Sequence, residues 1–249
     1  MINFNKYSAV YDLLYMNKDY DSETKYIHEL ILSNNPDSKD ILELGCGTGI
    51  HALALSKLGY KIMGIDMSQE MINQSKSGLD SNVVLIQGDA RHFRSKTPFS
   101  NVISLFHILS YMSTNEDVEN YFKSTFENLV SGGLFIFDFW YSPAVNYLRP
   151  QNRIKRVSNT ELEILRVAEP IIIENENLVD VKYSIFFKNI GEEKFDCINE
   201  VHRMRHFTIP ELSMYAKNIG FDVIGFEEFL SRKPVSENTW GVCAIFKKP

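Results

Sequence analysis

The chain has 249 residues, of which 44% are hydrophobic and 23% charged, and its formal net charge is −6. This composition is ordinary for a globular protein and leaves room for one large α/β domain with an insertion, but not for two full domains. The chain shows no basic run, no signal peptide and no apolar run of membrane-spanning length, so we expect a cytoplasmic protein without nucleic-acid or membrane partners. Its three cysteines are widely spaced, which predicts reduced thiols and no metal site.

Stretches typical of strands and of helices alternate through the first 140 residues. Continuous apolar runs predict strands buried on both faces, and amphipathic runs between them predict helices. Right-handed crossovers between such strands give a doubly wound parallel sheet. The predicted helices cover 22–34, 50–58, 68–77 and 115–130, and the predicted strands cover 40–44, 61–65, 83–87, 101–106 and 133–139.

Beyond Pro143 the pattern changes to stretches in which polar and apolar residues alternate, at 153–158, 161–173, 178–189 and 194–207. Alternation indicates one solvated face and hence an antiparallel sheet, with a hairpin turn at Gly191. A helix capped by Thr208 and strands at 221–229 and 240–247 then resume the α/β pattern. We expect an α/β core with an N-terminal lid over 1–145, an antiparallel insertion above the ligand crevice over 146–207, and the rest of the core over 208–249.

Residues 41–49 predict a strand that runs into a glycine-rich turn before a helix. Gly45, Gly47 and Gly49 allow backbone angles closed to other residues and let a ligand approach the main chain. Such a turn forms the ligand crevice of an open α/β sheet. Its G-x-G-x-G spacing differs from the G-x-G-x-x-G of dinucleotide sites. Ala52 stands where the third small residue would lie, however, so the glycines alone leave an NAD site open.

Two acidic residues, Asp66 and Asp89, follow the second and third predicted strands. An acid at the end of the second strand can accept hydrogen bonds from ribose hydroxyls, which suits either cofactor. Together with the glutamate-led glycine turn, these acids resemble the site of the class I S-adenosylmethionine-dependent methyltransferases. The resemblance implies S-adenosyl-L-methionine as cofactor and a mostly parallel, seven-stranded Rossmann-like sheet with the insertion between strands five and six. It implies a cofactor site made of Tyr15, Glu43, Gly45, Gly47, Gly49, Asp66, Met67, Asp89, Ala90 and Leu105.

The N-terminal segment, Tyr7 to Tyr15 followed by Lys18-Asp19-Tyr20, narrows the resemblance. It is similar to the start of bacterial N-methyltransferases of nucleotide-linked amino sugars (the desosamine and mycaminose type), where it folds over the cofactor. The resemblance implies catalytic roles for Tyr15 and for Tyr111, which stands where some relatives carry a histidine. Tyr7 and Tyr11 are expected only to pack on the sheet, and His51 and His202 to be structural. The acceptor is expected to contact His107, Trp140, Tyr141, Arg149 and Arg205.

Methyl transfer from a sulfonium requires the nucleophile to be aligned in line with the methyl carbon. An amine needs no dedicated base for this, whereas an alcohol does, and no compact catalytic triad is visible in the sequence. We therefore expect a methyltransferase that acts on a small molecule, and the favoured acceptor is an amino group of a nucleotide-linked sugar. We expect the protein to be a monomer or a homodimer. The alternatives are a small-molecule O-methyltransferase, a glycine-type N-methyltransferase and a non-catalytic adenosylmethionine-binding protein. A dehydrogenase is disfavoured because no residue pair for hydride transfer stands out.

Overall fold

A seven-stranded sheet forms the core of the computed structural model, which describes residues 10–11, 13–75 and 80–249. The strand order is β10-β11-β5-β4-β1-β2-β3. The five strands from β1 to β5 pair in parallel, while β11 runs antiparallel to both β5 and β10. The predicted seven-stranded, mostly parallel sheet is thus confirmed. Its strands are β1 (Asp40–Leu44), β2 (Lys61–Asp66), β3 (Val83–Gln87), β4 (Phe99–Ser104), β5 (Leu129–Trp140), β10 (Asp222–Glu228) and β11 (Gly241–Lys247).

A separate sheet of four antiparallel strands lies between β5 and β10 in the chain. Its strands are β6 (Arg153–Ser158), β7 (Leu162–Ile173), β8 (Leu178–Asn189) and β9 (Asp196–Arg205). One face, which we call the inner face, packs Ile164, Ile185 and Ile198 against Val10 and Leu14 of the N-terminal helical segment. The alternating pattern therefore has the cause that we predicted, since one side of each strand is buried and the other solvated.

The helices are α1 (Tyr20–Asn34), α2 (Ile50–Ser56), α3 (Gln69–Gln74), α4 (Asn115–Glu127), α5 (Ser142–Leu148) and α6 (Ile209–Ile219). Of these, α1 and α2 pack on one face of the large sheet, and α4 and α6 on the other. Thr208 caps α6 in a capping box with Glu211, as its place in the sequence suggested. The short helix α5 was not predicted, because Pro143 suggests a break although proline is tolerated in a first helical turn. The helix predicted over 68–77 is seen as Gln69–Gln74, and its last two residues lie outside the described part of the chain.

The carboxyl ends of β1, β2 and β4 meet at one edge of the large sheet, with β1 between the other two. Open α/β sheets bind ligands at such a point, where the strand order reverses. None of the described helices is both long enough and apolar enough to cross a membrane.

Candidate active site

The three glycines of the turn after β1 all have positive φ angles, a conformation that favours glycine. Gly45, Gly47 and Gly49 have φ values of 71°, 54° and 77°. A Cβ at Gly45 would lie 2.4 Å from Cδ1 of Ile108, whereas one at Gly47 would meet nothing within 4 Å. The amides of Gly45 and Cys46 both donate to the carbonyl of Ile65, at 2.8 and 3.0 Å. The turn is thus fixed to β2, with open space beside Gly47.

Asp66, at the end of β2, fastens the turn from the other side. Its Oδ2 accepts from the Gly47 amide and its Oδ1 from the Ser68 amide, both at 2.9 Å. Burial raises the pKa of Asp66, although these two hydrogen bonds oppose the rise. Each carboxylate oxygen has a second lone pair, so Asp66 can still accept from ribose hydroxyls as predicted.

A buried polar cluster lies beneath the turn. Glu43 is 2% exposed, and its Oε2 has no hydrogen-bond partner among the residues that the structure describes. Its Oε1 lies 3.7 Å from Nδ1 of His51, whose Nε2 lies 2.7 Å from Oε2 of Glu23. Burial raises the pKa of Glu43 to about 8, with Lys18 opposing and Asp66 adding to the rise. A buried carboxylate oxygen of this kind fits a bound ammonium group.

A small open cavity begins at the turn. It brings together the predicted residues Gly45, Gly47 and Leu105 and adds residues that were not predicted to line it. Its lining is Tyr11, Tyr20, Gly45, Cys46, Gly47, Thr48, Ile50, His51, Leu105 and Phe106. Tyr11 was expected only to pack on the sheet, and this was wrong, because the helical segment before α1 turns its ring towards the crevice. Tyr7 and Asp12 lie outside the described residues.

Asp89, after β3, is engaged by an arginine of its own loop. Arg91 donates Nε to Oδ1 at 3.0 Å and Nη2 to Oδ2 at 2.7 Å, and its Nη1 reaches Asp117 at 2.6 Å. Burial would raise the pKa of Asp89, but the bonds from Arg91 outweigh it and lower the pKa overall. Ala90 beside it is buried, and Met67 is 59% exposed. The predicted cofactor contacts of these residues remain predictions.

The end of β4 carries two strained residues. Phe106 and His107 have φ values of 66° and 62°, a region that residues with a Cβ adopt only rarely. Asp138 of β5 holds them there, since its Oδ1 accepts from the His107 amide at 3.0 Å and its Oδ2 lies 2.7 Å from the ring Nδ1. Burial would raise the pKa of Asp138, but the charge and hydrogen bonds of His107 lower it overall. Sequence reasoning missed Asp138, although a lone acid inside an apolar strand was a usable signal.

Trp140 ends β5 near the same edge, and Tyr141 follows it. The Trp140 ring lies 6.3 Å from that of His107 and 5.5 Å from that of Trp240. Tyr141 packs, partly buried, against the core of the large sheet. Their predicted contact with an acceptor stays a prediction.

The two predicted catalytic tyrosines both reach the inner face of the antiparallel sheet. The Tyr15 ring packs edge-on against Phe106 at 5.0 Å, and its hydroxyl accepts from Nη1 of Arg166 at 3.0 Å. The Tyr111 hydroxyl lies 2.9 Å from Nδ1 of His202. The antiparallel sheet is therefore joined to the crevice through both tyrosines.

Arg149 and Arg205, which were expected to bind the acceptor, are paired with the protein's own side chains. Arg149 is half-exposed and reaches Glu174 at 2.7 Å. Arg205 is buried and reaches Glu211 at 2.7 Å and Asn115 at 2.8 Å. Among the described contacts, none joins either guanidinium group to the residues of the cavity, so their role in acceptor binding stays a prediction.

Comparison with known proteins agrees with this geometry. A family model described as a methyltransferase domain matches residues 41–133. The Bacillus subtilis (strain 168) protein YqeM, whose own assignment as a methyltransferase is provisional, is 29% identical over 223 residues, 88% of this chain and 87% of that protein. The dTDP-3-amino-3,4,6-trideoxy-alpha-D-glucopyranose N,N-dimethyltransferase of Streptomyces venezuelae is 33% identical over 139 residues, 55% of this chain and 58% of that enzyme.

Among solved structures, an S-adenosylmethionine-dependent methyltransferase from Clostridium acetobutylicum ATCC 824 superposes with a TM-score of 0.82, covering 98% of each chain at 24% identity. At that identity the superposition supports the fold alone. The open space beside Gly47 and the unpartnered oxygen of Glu43 suit the methyl donor of such enzymes. Residues 41–133 match a methyltransferase domain, and the protein is an S-adenosylmethionine-dependent methyltransferase with S-adenosyl-L-methionine as its cofactor.

Proposed function

We propose that this methyltransferase acts on a small molecule and methylates an amino group of a nucleotide-linked sugar. The observation that carries the proposal is a pair of cations, Lys155 and Arg166, on the inner face of the antiparallel sheet. They stand directly opposite each other in the β6–β7 register and therefore share that face. Arg166 donates to the Tyr15 hydroxyl, and Lys155 donates to the Leu14 carbonyl with its Nζ 5.5 Å from the Tyr15 ring.

Two cations in this position favour an anionic acceptor. Like charges directly opposite each other in a sheet destabilise it, and burial together with Arg166 lowers the pKa of Lys155. Lys155 has no carboxylate within ion-pair distance among the described residues. A bound diphosphate would offset the repulsion, and the planar guanidinium of Arg166 suits phosphate oxygens. Arg166 and Lys155 both lie next to Tyr15, whose ring also packs against Phe106 at the crevice. Among the described contacts, Arg149 and Arg205 have no such link to the crevice.

The amino group of the proposed acceptor is supported by the similarity to the Streptomyces venezuelae enzyme, whose name gives a dTDP-linked amino sugar as its substrate. It is supported as well by the aromatic side chains of Tyr11, Tyr20 and Phe106, which line the cavity at the glycine turn. A small molecule fits this opening better than the surface of a folded protein.

The residues present fit adenosylmethionine: in this proposal Glu43 would receive its amino group, Asp66 would accept from its ribose hydroxyls, and the glycine turn would allow its close approach. When bound, it supplies a methyl group that is already activated by the sulfonium charge. The protein must then hold the acceptor nitrogen in line and keep water out. Such alignment supplies roughly 7–11 kcal/mol in well-oriented reactions. In this chain Tyr15, Phe106 and Tyr111 are the side chains placed to line that path.

A second candidate, methylation of a hydroxyl group, is favoured by one observation. An alcohol acceptor needs a base, and Tyr111, His202 and Glu200 are joined in a chain of hydrogen bonds at 2.9 and 3.0 Å. The two candidates differ in which atom of the acceptor carries the new methyl group.

The proposal is tested by incubating the protein with adenosylmethionine and three acceptors: a nucleotide-linked amino sugar, the free amino sugar, and a nucleotide-linked sugar without an amine. We expect the mass gain of a methyl group with the first acceptor only. Lys155→Met and Arg166→Met should raise the Michaelis constant of that acceptor about 10- to 100-fold, as expected for loss of a hydrogen bond to a charged group. Adenosylmethionine affinity should not change.

The matched control is Arg156→Met, because Arg156 is exposed on the opposite face of the same strand. We expect it to leave the Michaelis constant unchanged. An equal rise in all three variants, or no rise in any, would contradict binding of the acceptor by the inner-face cations.

A further inference from the structure

Three side chains near the crevice, those of Tyr111, His202 and Glu200, are joined by hydrogen bonds away from solvent. We infer that Tyr111, His202 and Glu200 are a proton relay. In this relay Tyr111 takes a proton from the methylated amino group and passes its own hydroxyl proton to His202, whose ring Glu200 orients. The inference rests on the proposed function. The observations that carry it are the order of the three groups, their burial and the face that they share.

The register of the antiparallel sheet brings the three residues together. Glu200 and His202 are two residues apart on β9, so both side chains point to the inner face. Tyr111 ends the short 3₁₀ helix Ile108–Tyr111 that follows β4 at the crevice. The Tyr111 hydroxyl lies 2.9 Å from Nδ1 of His202, and Nε2 of His202 lies 3.0 Å from Oε2 of Glu200.

The hydrogen-bonding capacity of each group sets the direction of the chain. A glutamate carboxylate only accepts, so Nε2 of His202 must donate to Glu200. In a neutral imidazole the other nitrogen then accepts, and Tyr111 donates its hydroxyl proton to Nδ1. The lone pairs of the Tyr111 oxygen are left to accept a hydrogen bond from a group in the crevice. The carboxylate of Glu200 therefore fixes the His202 tautomer that carries its proton on Nε2, and a proton relay through Tyr111 requires this tautomer.

The hydrogen-bonded residues Glu200 and His202 are buried, unlike the residues of an ordinary surface contact. Glu200 is 6% and His202 4% exposed, and Oε1 of Glu200 has no partner among the described residues. Burying an acid and an imidazole is costly, and one structural bond between β9 and the 3₁₀ helix would not need both. Tyr183 packs edge-on against His202 at 4.9 Å, and Arg166 stands 5.1 Å from the Tyr183 ring.

The surroundings of Tyr111 keep its hydroxyl protonated and place it near the cofactor residues. Burial raises its pKa well above the ordinary value, and nearby Tyr183, Tyr15, Glu200 and Asp66 add to the rise. Tyr111 is therefore a donor to His202 rather than a phenolate. The 3₁₀ helix that carries Tyr111 follows β4 directly and so lies at the same edge of the sheet as the glycine turn.

The proposed step balances in atoms and charge. The acceptor nitrogen forms a bond to the methyl carbon as the bond from that carbon to sulfur breaks, and the electron pair of the broken bond stays on sulfur. The ammonium that results gives one proton to the Tyr111 oxygen while the hydroxyl proton of Tyr111 moves to Nδ1 of His202. His202 becomes an imidazolium beside Glu200, and it returns its proton to solvent through Tyr111 after the product leaves.

The first test needs no acceptor. In protein labelled with ¹⁵N-histidine, the nitrogen shifts of His202 should show the tautomer with the proton on Nε2. Tyr111→Phe should move the Nδ1 resonance and leave Nε2 in place, because only the bond to Nδ1 is lost. The Nδ1-protonated tautomer would overturn the relay, because His202 would then donate to Tyr111 and could not take its proton.

The second test is a double-mutant cycle on the turnover of the nucleotide-linked amino sugar. We expect Glu200→Gln to lower kcat about 10- to 100-fold, at the low end of general acid–base contributions, and to leave the Michaelis constant and adenosylmethionine affinity unchanged. In the Tyr111→Phe background the same substitution should have no further effect, because the chain is already cut. The exposed Glu163 on the outer face of β7 provides the control, Glu163→Gln.

An equal fall of kcat in both backgrounds would overturn the relay and assign Glu200 a structural role. If the wild-type protein methylates no nucleotide-linked amino sugar, the proposed function fails. The relay is then judged on the tautomer alone, with the Nε2 form supporting it and the Nδ1 form overturning it.

Discussion

The buried carboxyl group of Glu43 makes the free energy of unfolding depend on pH. Burial raises its pKa from 4.5 to about 8. Between these two values the folded chain keeps a proton that the unfolded chain has released, so the free energy of unfolding falls as the pH rises through this window. Each unit of pKa difference corresponds to about 1.4 kcal/mol, so the loss across the window is on the order of 4–5 kcal/mol.

Glu43→Gln replaces the carboxyl group by a neutral group of the same shape. We expect the variant to match the wild type below about pH 4.5 and to exceed its stability by several kcal/mol above about pH 8. Urea unfolding across this range, without adenosylmethionine, measures the difference. Glu119→Gln is the control, because Glu119 is exposed on α4. If Glu43→Gln shows the same pH dependence as the wild type, the buried carboxyl is not its source.

The same variant reports on the cofactor. If Glu43 receives the amino group of adenosylmethionine, binding near neutral pH must release the proton that Glu43 holds. Calorimetry in two buffers of different ionisation enthalpy should therefore detect proton release in the wild type and none in Glu43→Gln, which should also bind more weakly. Equal proton release in the two proteins would contradict the contact.

Four further substitutions test the turn and the end of β4. Asp66→Ala should weaken adenosylmethionine binding by about 3 kcal/mol, roughly 100-fold by calorimetry, through loss of charge-assisted hydrogen bonds, and unchanged affinity would contradict its ribose role. Gly45→Ala should lower the melting temperature more than Gly47→Ala, because only the Gly45 Cβ would clash, at 2.4 Å from Ile108; equal losses would point to backbone strain alone. Asp138→Asn should lower kcat about tenfold or more by releasing His107, and an unchanged kcat would show that His107 does not act in the reaction.

The parts of this site that were predicted are local in sequence. Gly45, Gly47 and Gly49 follow a predicted strand directly, so their spacing alone indicates a tight turn beside a helix. Asp66 needs only the end of the second strand to place it near that turn. The position of such residues is set by the secondary structure next to them in the sequence, so the sequence pattern is sufficient to predict it.

The parts that were missed depend on pairing between distant segments. His202 meets Tyr111 across 91 positions in the sequence, and only the register of β9 decides which face of the sheet it occupies. Lys155 and Arg166 become a pair through the β6–β7 register, which the hydrophobic alternation alone does not specify. The pairing of Arg205 with Glu211 in the first turn of α6 was likewise not indicated by the sequence pattern. Charge in a sequence indicates what a residue can bind, and the fold decides what it meets.

The most direct test of the account follows the methyl group itself. Adenosylmethionine labelled with ¹³C at its methyl carbon is incubated with the protein and a nucleotide-linked amino sugar, and the product is examined by carbon and proton NMR. The account predicts a labelled methyl carbon bonded to the amino nitrogen of the sugar. A labelled methyl group on a hydroxyl oxygen, or transfer to the free sugar as readily as to the nucleotide-linked one, would contradict it.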